Sequence, residues 1–120
     1  MTKHMTLGEL IKALKERPFD QEVRFDFPGQ YPTRFSSYRG YYEDLALRYT
    51  DCSADTPTVE DLLQESEKVL GEYLTGYKGG EYLMTAFTRV WVSEYGDSSG
   101  VALVGVTGDR VTVLQTAWYE

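Results

Sequence analysis

The sequence contains very few of the residues on which most catalytic centres depend. Cys52 is the only cysteine and His4 is the only histidine in 120 residues. A lone cysteine excludes an intrachain disulfide and a cysteine-rich zinc site, and a lone histidine in a fraying terminal segment argues against a Ser–His or Cys–His pair. The chain also lacks a P-loop, a Gly-x-Gly-x-x-Gly fingerprint and an Asp-x-Asp calcium loop. We therefore predict no metal, no cofactor and no catalytic residue.

Long apolar runs and an excess of basic charge are absent as well. No window approaches the roughly 20 apolar residues that a transmembrane helix needs, and the first residues lack the apolar segment of a signal peptide. Twelve Lys and Arg against nineteen Asp and Glu give a net charge of −7, which suits the phosphates of a nucleic acid poorly. We expect a single cytoplasmic domain over residues 1–120, with neither a membrane nor a polymeric nucleic acid as partner.

Two helices are predicted from apolar spacing and capping residues. Thr6 and Glu9 form a capping-box pattern, and a helix follows over about residues 7–16. The second helix begins at Thr58, and its apolar stripe extends through Leu74. Each stripe needs an apolar partner, which a sheet can supply.

Alternating apolar residues predict the strands of that sheet. Residues 28–43 read as a long structured loop with a short strand near 34–38, because their prolines and glycines obscure any period. The fold class predicted is α+β, with an antiparallel sheet of about five strands and two helices packed on one face. The main strands are expected at residues 22–27, 44–49, 88–95, 101–107 and 111–118.

Aromatic residues are concentrated in one segment that also carries arginines. Ten Tyr, five Phe and two Trp make up 14% of the chain, and nucleobases stack on aromatic rings and guanidinium planes while phosphates take bidentate arginine. In the alternative interpretation the tyrosines pack the loop onto the sheet and Arg39 pairs with Glu43 or Asp44. The candidate ligand-binding residues of this segment are Arg34, Ser36, Ser37, Tyr38, Arg39, Gly40, Tyr41 and Tyr42.

A second candidate segment follows the second helix. Lys78, Gly79 and Gly80, with Tyr82 shortly after them, combine a point charge with backbone N–H groups that consecutive glycines can aim at an anion. The alternative is an ordinary flexible connection between a helix and a strand.

These segments resemble a family of small, mostly uncharacterised bacteriophage proteins. The resemblance rests on Ser-Tyr-Arg-Gly-Tyr-Tyr at residues 37–42, Gly-Tyr-Lys-Gly-Gly-Glu-Tyr at residues 76–82, and Trp-x-x-x-Tyr-Gly-x-x-Ser-Gly at residues 91–100. It implies a phage accessory protein acting in the cytoplasm of an infected bacterium. Small phage proteins of this kind often counter host defence, for example by sequestering the nucleotide messengers of Thoeris or CBASS systems.

Three functions are compatible with these residues. The first is non-catalytic sequestration of a small phosphorylated nucleotide, such as a cyclic oligonucleotide or a cyclic ADP-ribose isomer, by a homo-oligomer. The second is inhibition of a host defence protein through the same Tyr/Arg surface. The third is cleavage of a nucleotide signal, with Glu43, Asp44 or Glu81 as general acid or base. The scarcity of catalytic residue types places the enzyme last.

Overall fold

The computed structural model describes residues 4–27, 30–38, 41–50, 56–75, 80–93 and 99–118, and at Ser37 and residues 41–43 the backbone alone. Within these ranges the chain forms two helices and eight strands. The elements in chain order are α1 (Leu7–Lys15), β1 (Val23–Phe25), β2 (Tyr31–Tyr38), β3 (Tyr41–Thr50), α2 (Val59–Val69), β4 (Tyr73–Thr75), β5 (Glu81–Leu83), β6 (Val90–Ser93), β7 (Val101–Thr107) and β8 (Thr112–Trp118).

The main sheet has six strands in the order β1-β8-β7-β6-β3-β2. Its two outermost strands, β1 and β2, also contact each other, so the sheet curls into a barrel-like shape. A separate two-stranded sheet is formed by β4 and β5. The fold class α+β is therefore confirmed, with two helices against a mainly strand-built layer.

The prediction of about five antiparallel strands is wrong, because the six-stranded sheet is mixed. β1 pairs with β8 in parallel, and β3 pairs with β6 in parallel. The antiparallel meander predicted at the C-terminal end is present, since β7 is antiparallel to both β6 and β8. Parallel neighbours must be joined by a long crossover, so they come from distant segments that local patterns do not connect.

Both helices contribute to one hydrophobic core with the inner face of this sheet. Each helix begins with a complete capping box, Thr6 with Glu9 in α1 and Thr58 with Asp61 in α2, as predicted. The helices also meet each other, with Lys15 Nζ 3.5 Å from a carboxylate oxygen of Glu67. Neither helix in the described ranges is long and apolar enough to cross a membrane. The buried core side chains come mainly from α1, α2 and five strands of the main sheet. Phe35 of the sixth strand, β2, packs against them.

The segment predicted as a long loop over residues 28–43 instead contains β2 and the first residues of β3. Tyr38 pairs with Tyr41, so β2 and β3 are consecutive antiparallel strands. The register shifts between Pro32 and Phe35, and again between Ser37 and Tyr38. The short strand predicted near 34–38 lies within β2, but these irregularities interrupt the alternation of apolar residues, which explains why the full length of the strand was not predicted.

The second helix ends earlier than its apolar stripe predicts. α2 stops at Val69, and Gly71 follows with φ of +86°. Leu74 keeps the helical spacing, but it lies in β4 and packs against the core from there. Glycine adopts positive φ without steric cost, so Gly71 provides the natural stop. Gly76, the predicted C-terminal glycine, lies outside the described residues.

Candidate ligand-binding site

A cavity of about 530 Å³ opens at one end of the main sheet. Because β7 is antiparallel to β6 and β8, while β1 and β3 are parallel to β8 and β6, four strands run in one direction. The cavity lies at the carboxyl ends of these four strands, and we name it the mouth cavity. Its described lining residues are Phe27, Tyr49, Val92, Ser99, Val101, Thr116, Ala117 and Trp118.

The strand period of two explains why these residues meet. Leu114 belongs to the main core, so Thr116 and Trp118 on the same strand continue its inward-facing row. Tyr49 continues the row of Leu47 in the same way. At the end of this row the Trp118 side chain is 77% exposed. Together with Phe27 and Tyr49, it forms one side of the cavity, and we name these three residues the aromatic wall.

Phe27 and Tyr49 of the aromatic wall are held in place by ring packing. Phe27 is stacked on the buried Phe25 with ring centroids 4.9 Å apart and planes 9° apart. Tyr49 meets Phe27 edge-on, with centroids 5.4 Å apart and an angle of 71°. Offset-stacked and edge-to-face pairs are the favourable arrangements of aromatic rings. These two rings are therefore positioned by the core beneath them.

The polar groups of the cavity are hydroxyls already engaged with the protein. Thr116 donates from its Oγ1 to Asp26 at 2.6 Å and from its backbone N–H at 2.9 Å. Ser99 donates to the carbonyl of Val92 and accepts from the N–H of Val101. Among the described lining residues there is no His, Cys, Asp, Glu, Lys or Arg. This arrangement can hold a ligand, but it offers no acid–base pair.

A second group of residues is buried on the outer face of the main sheet, the face that does not carry the main core. Tyr38 is stacked on Trp91 with ring centroids 4.5 Å apart and planes 8° apart. The Tyr38 hydroxyl accepts a hydrogen bond of 2.8 Å from the N–H of Gly100. Tyr38 is only 2% exposed, so the ring predicted to stack on a ligand serves as packing in the structure.

Asp44 anchors this buried group. Its Oδ2 accepts hydrogen bonds of 2.9 Å from both Arg89 Nη2 and Trp91 Nε1, and the residue is 4% exposed. A buried carboxylate is stabilised by donors of this kind. The contacts favour a structural role for Asp44 over the acid–base role that the sequence allowed.

His4 also packs here, so the expectation that it frays is wrong. Its Nε2 hydrogen-bonds the carbonyl of Val90 at 2.8 Å, and its ring meets Trp91 edge-on with centroids 4.6 Å apart. Burial lowers the pKa of His4 and the nearby Arg89 adds to this, while the Val90 hydrogen bond and Asp44 oppose it.

The lowered pKa of His4 predicts a pH dependence of stability. The unfolded chain binds the proton near pH 6.5 and the folded chain binds it only at lower pH. The free energy of unfolding should therefore be highest above that value and fall on acidification through pH 6, by at most about 1.4 kcal/mol per pH unit. Urea unfolding at pH 7.5 and 5.5 measures this difference. The His4→Gln protein should lose much of the difference, and an equal difference in both proteins would contradict the assignment.

The residues predicted from the sequence to bind a ligand are only partly described. Arg34 is exposed on β2, and Ser36 is half-buried. Gly80 is exposed with φ of +83°, and Tyr82 packs against the main core. For Ser37, Tyr41 and Tyr42 only the backbone is described, and Arg39, Gly40, Lys78 and Gly79 lie outside the described residues.

The two predicted segments lie on neighbouring elements. β4 contacts β2, and β5 contacts β3, so the short hairpin that carries Gly80 lies beside the hairpin that carries Tyr38. Both are distinct from the mouth cavity, because Tyr41 and Tyr49 stand at opposite ends of β3, roughly 26 Å apart at the rise of a strand. Sequence reasoning missed Phe27, Tyr49 and Trp118 as site residues. Their only signal is an aromatic residue at or near the end of a strand.

Comparison of the chain with protein-family models, with curated proteins and with solved structures gives no match. The resemblance to bacteriophage proteins therefore stays a prediction. Function has to be argued from the site itself.

Proposed function

We propose that the protein binds a small ligand without changing it chemically, and that the mouth cavity receives a planar or apolar part of that ligand. The observation that carries this proposal is the aromatic wall of Phe27, Tyr49 and Trp118 around about 530 Å³ of open space. Small-molecule sites typically occupy about 300–1,000 Å³ and are lined mainly by apolar and aromatic side chains with a few polar groups.

Exposure of Trp118 supports the same proposal. Covering a large aromatic side chain removes much apolar surface from water, which is the main favourable term in association. Trp118 also lies against Gly100, since a Cβ placed on that glycine would be 3.7 Å from the indole ring.

Uptake of a ligand by the cavity should depend on Trp118. Trp118→Ala should weaken binding by about tenfold to a hundredfold, the usual scale for one stacking ring. Its stability should stay within about 0.5 kcal/mol of the parent, because the side chain is mostly exposed. Phe87→Ala is the matched control, since Phe87 is an aromatic side chain that is 87% exposed and does not line the mouth cavity.

The experiment is incubation with a mixture of nucleosides, nucleotides, cyclic dinucleotides, cyclic ADP-ribose, aromatic amines and quaternary ammonium compounds. The protein is then separated from free compounds, heated and analysed by mass spectrometry. Release of an intact compound that Trp118→Ala fails to retain and Phe87→Ala retains supports the proposal. A released compound of altered mass contradicts the non-catalytic part, and no uptake contradicts binding and favours a protein partner.

A second candidate is sequestration of a nucleotide immune signal at the hairpin end of β2 and β3, as the phage resemblance implies. It is favoured by the exposed Arg34 on β2 and by the contacts of β4 and β5 with β2 and β3. The incubation separates the two sites, because nucleotide uptake at the hairpin should be lost in Arg39→Ala and kept in Trp118→Ala. This second candidate includes the prediction that the protein is a homo-oligomer. Light scattering at micromolar concentration measures the oligomeric state.

A further inference from the structure

We propose that the mouth cavity selects an organic cation, such as a quaternary or alkylated ammonium group, over neutral and anionic ligands. This inference rests on the proposed function, since it names the ligand class of the same cavity. It departs from the nucleotide predicted for the hairpin end of the sheet. Three observations carry it: the aromatic wall, a carboxylate joined to a lining hydroxyl, and the negative net charge of the protein.

The aromatic wall supplies the first element of cation recognition. Trp118, Tyr49 and Phe27 come from three different strands or their ends and line one space. The faces of such rings carry negative electrostatic potential, and several rings around one space form the cages that bind quaternary ammonium groups. A trimethylammonium group also needs no hydrogen-bond acceptor, which suits a cavity whose hydroxyls already donate to Asp26 and Val92.

Asp26 supplies the second element. Its carboxylate lies on the outer side of the β1 end and accepts both hydrogen bonds from Thr116, a lining residue. The carboxylate therefore contacts a residue that lines the cavity, and none of the ion pairs among the described residues involves it. A negative charge so close to an aromatic site favours a cationic ligand and disfavours a phosphate.

The overall charge supplies the third element. Nineteen Asp and Glu against twelve Lys and Arg give the protein a net charge of −7. A negative net charge raises the local concentration of cations and lowers that of anions around the protein.

The basic residue closest in sequence to the aromatic wall does not line the cavity. Arg48 is adjacent to Tyr49 on β3, and successive side chains of a strand point to opposite faces. Arg48 pairs with Ser93, whereas Leu47 of the inner row pairs with Val92. Its guanidinium thus belongs to the outer face, and Arg48 is not among the described residues that line the cavity.

The test compares two compounds of the same shape and different charge. Choline and 3,3-dimethylbutan-1-ol differ at one atom, where the cation carries nitrogen and the neutral compound carries carbon. Titration of the whole protein at low salt, followed by calorimetry and by NMR of the Trp118 indole N–H, should give an affinity for choline at least about tenfold higher than for the alcohol. Adenosine monophosphate is the anionic probe and should bind the cavity more weakly than either.

Variants locate the origin of the preference. Asp26→Asn keeps an acceptor for Thr116 and should lower the choline affinity about threefold while leaving the alcohol unchanged. Asp109→Asn removes the same charge from the exposed β7–β8 connection at the opposite end of the sheet, and should leave both affinities unchanged. Trp118→Ala should weaken both compounds.

The outcomes separate this inference from the proposed function. Equal affinity for choline and the alcohol, or tighter binding of adenosine monophosphate in the cavity, overturns cation selection and leaves a neutral or anionic ligand for the same site. Absence of binding by these probes and by every compound of the incubation mixture overturns the cavity as a binding site, and the inference fails with it.

Discussion

Asp44→Ala should lower the free energy of unfolding by about 2–4 kcal/mol, the range for removing one partner of a buried, hydrogen-bonded ion pair. The carboxylate holds both Arg89 Nη2 and Trp91 Nε1, so its loss leaves two donors without their acceptor. The Arg89 side chain is 38% exposed and can turn to water, which places the expected loss toward the lower end. Urea unfolding at pH 7.5 measures it.

Glu67→Ala is the matched control for this prediction. Glu67 also pairs with a cation, Lys15, but both side chains are about half exposed, and exposed pairs contribute about 0–1 kcal/mol. Equal losses in the two variants would show that Asp44 does not hold the buried group together. A larger loss in Asp44→Ala than in Asp44→Asn would show that the amide replaces part of the hydrogen bonding.

Gly108→Ala should be the most damaging glycine substitution among those described. Gly108 has φ of +100°, and a Cβ at this position would lie 1.9 Å from the carbonyl oxygen of Val111. The backbone of the β7–β8 connection must move to accept the methyl group, and Arg17, which donates to the carbonyl of Gly108, moves with it. We expect a loss of at least about 3 kcal/mol, from backbone strain and overlap together.

Gly71→Ala separates strain from overlap. Gly71 has φ of +86°, but a Cβ there would meet nothing within 4 Å, so only the cost of positive φ remains, about 1–2 kcal/mol. Thermal and urea unfolding of both variants give the comparison. If Gly71→Ala proved as damaging as Gly108→Ala, the packing around Gly108 would not be the cause of its effect.

The sequence predicts the parts of the fold that depend on neighbouring residues. The capping boxes at Thr6 and Thr58 lie within three residues of their partners, and β7 and β8 alternate clearly, so these elements are found. The pairing of β1 with β8 joins segments that share no local pattern, and only the folded chain brings them together. The end of α2 was misplaced because Leu74 satisfies both the helical spacing and the inward position on β4.

The two candidate sites differ in how well they can be predicted from the sequence. The residues of the Tyr/Arg segment are contiguous, so their aromatic rings and guanidinium groups stand out in the sequence as a candidate site. The mouth cavity draws Phe27, Tyr49 and Trp118 from three distant places, and their proximity follows only from the strand order. The burial of Tyr38 against Trp91 has the same origin, since the partner is supplied by a strand more than fifty residues away.

The parallel pairing of β1 with β8 has a consequence for how the chain folds during synthesis. Residues 23–25 pair with residues 112–114, so β1 has no permanent neighbour on that edge until almost all of the described chain has left the ribosome. Closing so long a loop is entropically costly, and proteins dominated by such distant contacts fold slowly, in about milliseconds to seconds. The edge of β1 that pairs with β8 therefore stays unpaired until residues 112–114 have been synthesised.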